Sequence, residues 1–213
     1  MDTRSATVPA VQALLWRDYV CPWCYLGRDR TALLVDHGVS IIHLAFELHP
    51  EIPEEGVAVR AGGRLSPTLE AIADECRAVG LPFVPPSRLP RSRRALETVE
   101  VVRTDHPDAF ESLDTRLYEA VFVHEIDLAD RDALDELVSA SGAPADEVRQ
   151  KVDRGEGATR LVQSMTMARE HGVAATPAWL LDGKLLVPGV QPREVLARWV
   201  EKMRSRASGS SRP

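Results

Sequence analysis

The run Ala13–Val20 (ALLWRDYV) is apolar and aromatic, and it breaks directly into Cys21-Pro22-Trp23-Cys24. A proline is accepted in a helix only in its first turn, where its missing N–H has no partner to lose, so Pro22 reads as a helix start. The helix continues through Leu26, Leu33 and Leu34 and stops near His37-Gly38, where glycine supplies a left-handed cap. In Ile41–Leu48 the residues Ile42, Leu44, Phe46 and Leu48 recur at every second position, the period of a strand with one apolar face. Strand, helix-length crossover and strand predict a βαβ unit, because parallel strands need such a connection.

The pattern then changes. Glu51–Arg64 holds Pro53, Gly56, Gly62 and Gly63 and reads as loop. From Pro67 to Gly80 the residues Leu69, Ile72, Ala73, Cys76 and Val79 share one helical face. A proline-rich loop at Pro82–Pro90 precedes further helices at Ser92–Asp105, Pro107–Val123, Arg131–Ser141, Ala145–Arg154 and Glu156–His171. Strand character returns only at Pro177–Leu181, followed by the hairpin signal Asp182-Gly183 and a returning strand at Lys184–Val187. Pro192–Met203 closes as a helix, and the Ser-, Gly- and Arg-rich tail after it is expected to be disordered. The class is α/β: a βαβ half and a ββα half, separated by a large all-helical insertion.

Composition narrows what such a chain does. Hydrophobic residues are 44% of the 213 and charged residues 27%, which excludes the disordered and fibrous classes. A formal charge of -6 opposes nucleic acid or an anionic membrane as main partner. The most apolar run, Val173–Leu181, is about half the length of a membrane span. Met1–Ala10 lacks the apolar stretch of a secretory segment, so the expectation is a cytoplasmic protein. Three cysteines cannot form a disulfide framework for a chain this long, leaving catalytic, metal-binding or structural roles for them.

A Cys-x-x-Cys at the mouth of a helix sets the first sulfur beside unpaired N–H groups and the positive end of the dipole, which stabilise a thiolate. Cys21 is thus the candidate nucleophile, and Cys24, one turn on, is placed to attack a mixed disulfide and release the partner. The rival is half of a zinc site completed by His43 and His49. In a strand those two lie roughly 20 Å apart, too far to share one ion at about 2.1 Å each, so metal is not expected. Asp18, three residues before Cys21, is either a buried carboxyl that exchanges a proton with Cys24 or an exposed strand-end acid paired with an arginine. Trp23 is expected to be exposed and to contact substrate, Tyr25 to pack, and Cys76 to be a buried core thiol. Arg88, Arg91, Arg93 and Arg94 form a basic cluster, read as a solvated face with an Arg93–Glu97 pair, or alternatively as a seat for an anion such as glutathione.

The segments Asp18–Gly27 (DYVCPWCYLG), Leu117–Phe122 with Asp127-Leu128, Gly172–Pro177 and Pro188–Pro192 together resemble the thioredoxin superfamily, specifically the DsbA family in its FrnE-like branch. The resemblance implies a thioredoxin fold in two halves, 11–60 and 172–204, around a helical insertion at 61–171, with a tail at 205–213. It implies dithiol–disulfide oxidoreductase activity with no bound cofactor beyond the redox-active cysteines, and glutathione as a conceivable co-substrate. It also implies a cis bond before Pro177, with Thr176, Pro177, Pro22 and Trp23 contacting a disulfide- or thiol-bearing protein or small molecule; a homodimer stays open. The same architecture occurs in 2-hydroxychromene-2-carboxylate isomerases. The alternative function is therefore a glutathione-dependent isomerase or transferase on an aromatic small molecule, against which the retention of Cys24 weighs.

Overall fold

The computed structural model describes residues 11–209. Strand β1 (Val11–Arg17) leads through the four-residue segment Asp18–Cys21 into helix α1 (Pro22–Asp36), which crosses over to β2 (Val39–Ala45), parallel to β1. Gly38, with φ +78°, makes the turn between α1 and β2. Both strands sit two to three residues earlier than the apolar pattern predicts. The reason is local: the chain must turn before the cysteines, so Arg17 carbonyl closes the ladder by accepting Phe46 N–H at 2.9 Å, and Cys21 N–H turns back to Asp18 carbonyl at 3.3 Å.

Two short strands follow from segments that read as loops, β3 (Val57–Ala58) and, after helix α2 (Ser66–Ala78), β4 (Arg88–Leu89), paired antiparallel. Two residues carry no readable period, so only the tertiary pairing makes them strands. Gly56 is required there: its φ is +72°, and a Cβ would stand 2.7 Å from Leu89 carbonyl.

Helices α3 (Arg93–Asp105), α4 (Pro107–Phe122), α5 (Arg131–Ala140), α6 (Ala145–Asp153) and α7 (Glu156–Glu170) lie within two residues of the periodic segments. Asp130 caps α5 by accepting Asp132 and Ala133 N–H, the capping chemistry that stops an exposed N-terminus from fraying. Helix α3 is buried on nearly every side and packs against α4, α6 and α7. Strand β5 (Ala178–Leu181) then runs antiparallel to β1 and pairs with β6 (Leu185–Pro188), giving the sheet order β2-β1-β5-β6. Helix α8 (Arg193–Gly209) continues six residues past Met203; Met1–Ala10 and the last four residues of the expected tail lie outside the described residues.

One face of the sheet buries Leu15, Trp179 and Leu181 with Leu34 of α1 and Leu196 and Val200 of α8. The other face buries Trp16, Leu44, Ala178 and Leu180 against Ala168 of α7 and Val173. A third cluster carries the insertion onto the start of α1, joining Cys21, Cys24, Tyr25 and Leu26 to Ile72, Leu113, Tyr118 and Phe122. This packing roofs the cysteine pair with insertion residues.

Candidate functional site

Cys21 is the N-cap residue of α1, extended at φ -89° and ψ 108°, with Pro22 inside the first turn. Its carbonyl accepts Cys24 N–H at 2.9 Å and Tyr25 N–H at 3.2 Å, which closes the first turn and leaves the sulfur at the helix mouth. Both Cys21 and Cys24 are free thiols, each 3% exposed. Across from them the Thr176–Pro177 bond is cis, and Cys21 Sγ lies 3.4 Å from Thr176 carbonyl. The Thr176 hydroxyl is buried without a hydrogen-bond partner of its own and lies close enough to both sulfurs to favour their thiolates. Gly27 allows this approach of helix and loop, since a Cβ there would meet Trp179 at 3.3 Å and Pro177 at 3.4 Å.

The two thiols differ in acidity. The Cys24 side chain hydrogen-bonds Cys21 and lowers its pKa, with the Thr176 hydroxyl and Cys24 N–H adding to this against the cost of burial. Burial pushes Cys24 well above the ordinary thiol value, and the neighbouring Cys21 sulfur pushes it further. A hydrogen-bonded pair in which one thiol is acidic and the other holds its proton is suited to sequential nucleophilic steps.

Asp18 is fully buried, so it is not an exposed strand-end acid paired with an arginine. Burial raises its pKa to about 6, opposed by hydrogen bonds from Leu48 N–H (2.8 Å), Val20 N–H (3.3 Å) and the Ser92 side chain. Its backbone hydrogen-bonds the Cys24 sulfur, and its carboxyl charge acts through space on Cys21, opposing the thiolate there. Trp23 is 37% exposed and Pro22 half-buried, forming the rim outside the sulfurs. Tyr25 is buried, donating its hydroxyl to Pro82 carbonyl and packing on Phe122 at 5.3 Å. Cys76 is buried in the same cluster, its thiol pushed up to about 11 by burial.

Sequence reasoning missed a second buried polar group. Arg17, at the end of β1, pairs with Asp114 of α4, and Tyr19 hydroxyl donates to the same carboxylate at 2.9 Å. Its only sequence signals are an arginine closing a buried strand and an aspartate on the apolar face of α4 beside Leu113 and Leu117. The basic cluster is dispersed into pairs: Arg93 binds Glu47 and Glu97, each at 2.8 Å, Arg94 binds Asp153 at 2.7 Å, and Arg91 stands 3.7 Å from Glu54. Among the described residues no group of three or more His, Cys, Asp or Glu is placed to hold a metal. His43 faces Phe110, ring centroids 5.2 Å apart, while His49 pairs with Glu51 at 2.9 Å.

Residues 13–201 match the profile of the DSBA-like thioredoxin domain. The chain belongs to the DsbA-like thioredoxin family. No curated protein sequence matches it. Among solved structures it is similar to a probable DsbA oxidoreductase from Streptomyces coelicolor, at 24% identity and TM-score 0.81, covering 95% of this chain and 92% of that one. It is also similar to the cytosolic disulfide reductase DsbM from Pseudomonas aeruginosa, solved with GSH, at 18% identity and TM-score 0.67, covering 92% and 98%. A 2-hydroxychromene-2-carboxylate isomerase shares the fold at 18% identity and TM-score 0.71, covering 94% and 98%. At these identities the DsbA-like fold is common ground and the reaction is not. No helix among the described residues is long and apolar enough to cross a membrane.

Proposed function

We propose that this DsbA-like chain is a dithiol–disulfide oxidoreductase. The observation that carries the reading is the placement of Cys21 as the N-cap of α1, with Cys24 one turn on and Cys21 Sγ 3.4 Å from the Thr176 carbonyl beside the cis Thr176–Pro177 bond. The Cys21 thiolate attacks one sulfur of a substrate disulfide, forming a mixed disulfide and expelling the other sulfur as a thiolate. Asp18 accepts the Cys24 proton; Cys24 then attacks Cys21 Sγ, forming the intramolecular disulfide and releasing the second substrate thiol. Two molecules of glutathione return the pair to the dithiol and leave as one glutathione disulfide. Trp23 and Pro22 supply the contact rim, and Thr176 and Pro177 lie along the substrate's backbone. A reducing, cytoplasmic setting suits this direction.

Equilibration against glutathione redox buffers, with thiol trapping of the pair, tests the proposal. A single cooperative two-thiol transition is expected, and Cys24→Ser should accumulate a mixed disulfide on Cys21. A pair that never closes, with no trapped adduct in Cys24→Ser, sinks it. The alternative, a glutathione-dependent isomerase, rests on the shared fold and predicts that isomerase activity survives Cys24→Ser.

A further inference from the structure

The Asp18 carboxyl accepts hydrogen bonds from three segments of the chain. Val20 N–H comes from the turn into α1, Leu48 N–H from the loop after β2, and the third donor is the side chain of Ser92, at the start of α3 in the helical insertion. Two of the three are backbone amides, which can only donate. They suit a carboxylate but offer nothing to the hydrogen of a protonated carboxyl. A serine hydroxyl both donates and accepts, so of these three partners Ser92 alone can serve both forms of Asp18. Asp18 is 0% and Ser92 3% exposed, so a carboxyl proton without an acceptor there would be a buried unpaired donor, which costs free energy.

The geometry at the start of α3 frees Ser92 for this task. An N-cap serine is ordinarily extended and turns its oxygen toward the N–H groups of the first turn. Ser92 is already helical, at φ -84° and ψ -13°, and its side chain makes no cap bond. Its carbonyl accepts Leu96 N–H at 2.9 Å, and the next two residues are anchored, Arg93 by Glu47 and Glu97 and Arg94 by Asp153. The helix forgoes its side-chain cap, and the hydroxyl is directed to the carboxyl instead.

We propose that Ser92 is a positioning residue for the resolving step: its hydroxyl holds the Asp18 carboxylate ready for the Cys24 proton and, after the transfer, turns to accept the hydrogen bond of the carboxylic acid. This rests on the oxidoreductase reading and deepens it. In that step the Cys24 S–H proton passes to Asp18, and the electron pair left on the sulfur forms the bond to Cys21 Sγ. The bond from Cys21 to the substrate breaks, and the substrate sulfur leaves as a thiolate. Cys21 carries no charge within the mixed disulfide, so the ionised Asp18 that opposes its thiolate beforehand is no obstacle then. The other titratable groups that act on Asp18 or feel its charge are Tyr19, Cys21 and Cys24 along the chain from it and His49 from the loop after β2; the neighbouring Glu47 and Arg93 are paired with each other.

Ser92→Ala removes the hydroxyl and leaves both backbone donors in place. Two quantities are followed between pH 4 and 9: the carboxyl 13C resonance of Asp18 in the dithiol protein, assigned by its loss in Asp18→Asn, and the rate at which the mixed disulfide formed with glutathione disulfide closes, read by acid quench and mass spectrometry. Loss of a hydrogen bond to the charged form favours the neutral acid, so both midpoints should move up together by about one pH unit, roughly tenfold in proton affinity. Ser92→Gly, a second protein without the hydroxyl, should reproduce both shifts. In the Cys24→Ser background, formation of the mixed disulfide at pH 8 should be the same with and without Ser92→Ala. An Asp18 midpoint that stays or falls, a closure profile that stays while the midpoint moves, or a slowing equal at every pH would each overturn the proposal. If the unmodified pair itself never closes, the oxidoreductase reading fails and takes the proposal with it, a result seen before any Ser92 variant is compared.

Discussion

At the scale of single residues, the buried Asp18 carboxyl has the clearest measurable consequence. Its pKa of about 6 lies above the 3.8 of an unfolded chain, so the folded protein binds the proton more tightly. As pH rises from 4 to 6 the unfolded state ionises first, and stability falls; above 6 the cost of the buried charge is complete. Two units correspond to about 3 kcal/mol. Asp18→Asn should therefore stabilise the protein by up to that amount at pH 8, with the gain vanishing below pH 4. Urea denaturation at pH 4, 6 and 8 measures it, and a gain independent of pH would contradict the assignment. The same variant should keep the first attack by Cys21 but slow closure of the disulfide, because Asn cannot take the Cys24 proton. That Asp18 stands beside the cysteines is legible in the sequence; its full burial depends on α3 delivering Ser92 and on the loop after β2 delivering Leu48 N–H.

At the scale of elements, the packing of α7 on α3 rests on one glycine. A Cβ on Gly157 would stand 2.5 Å from Glu97 carbonyl and 2.9 Å from its carbon, so backbone rather than a flexible side chain blocks the space. Alanine is the better helix former by about 1 kcal/mol. Overpacking should outweigh that, and Gly157→Ala is expected to cost about 1–3 kcal/mol net, read as a lowered urea midpoint with unchanged slope. An unchanged midpoint would mean that α7 slides without penalty. The helices themselves were readable because each carries an apolar face bounded by proline, glycine or aspartate. The β3–β4 ribbon was not, since two-residue strands exist only through pairing across thirty residues of chain.

For the whole molecule, the Arg17–Asp114 pair joins the sheet to the helical insertion beneath the cysteine roof. Removing one member of a buried pair strands the other, so Asp114→Ala should cost about 3–5 kcal/mol. The double variant Arg17→Met, Asp114→Leu should lose less than that single change, because no buried charge remains. A double variant less stable than Asp114→Ala would show that the pair is a net source of stability rather than a specificity device. Denaturation of the three proteins under one buffer settles the order.

The cysteine motif, the βαβ and ββα order and the insertion between them were determined by local pattern: apolar period, proline and glycine placement, and the spacing of two thiols. These are properties of neighbours along the chain. The tertiary structure alone decided how deeply Asp18 is buried and which acid Arg17 finds ninety-seven residues away. Each of those depends on desolvation and on partners brought together from distant segments, and neither quantity is written in the period of a sequence.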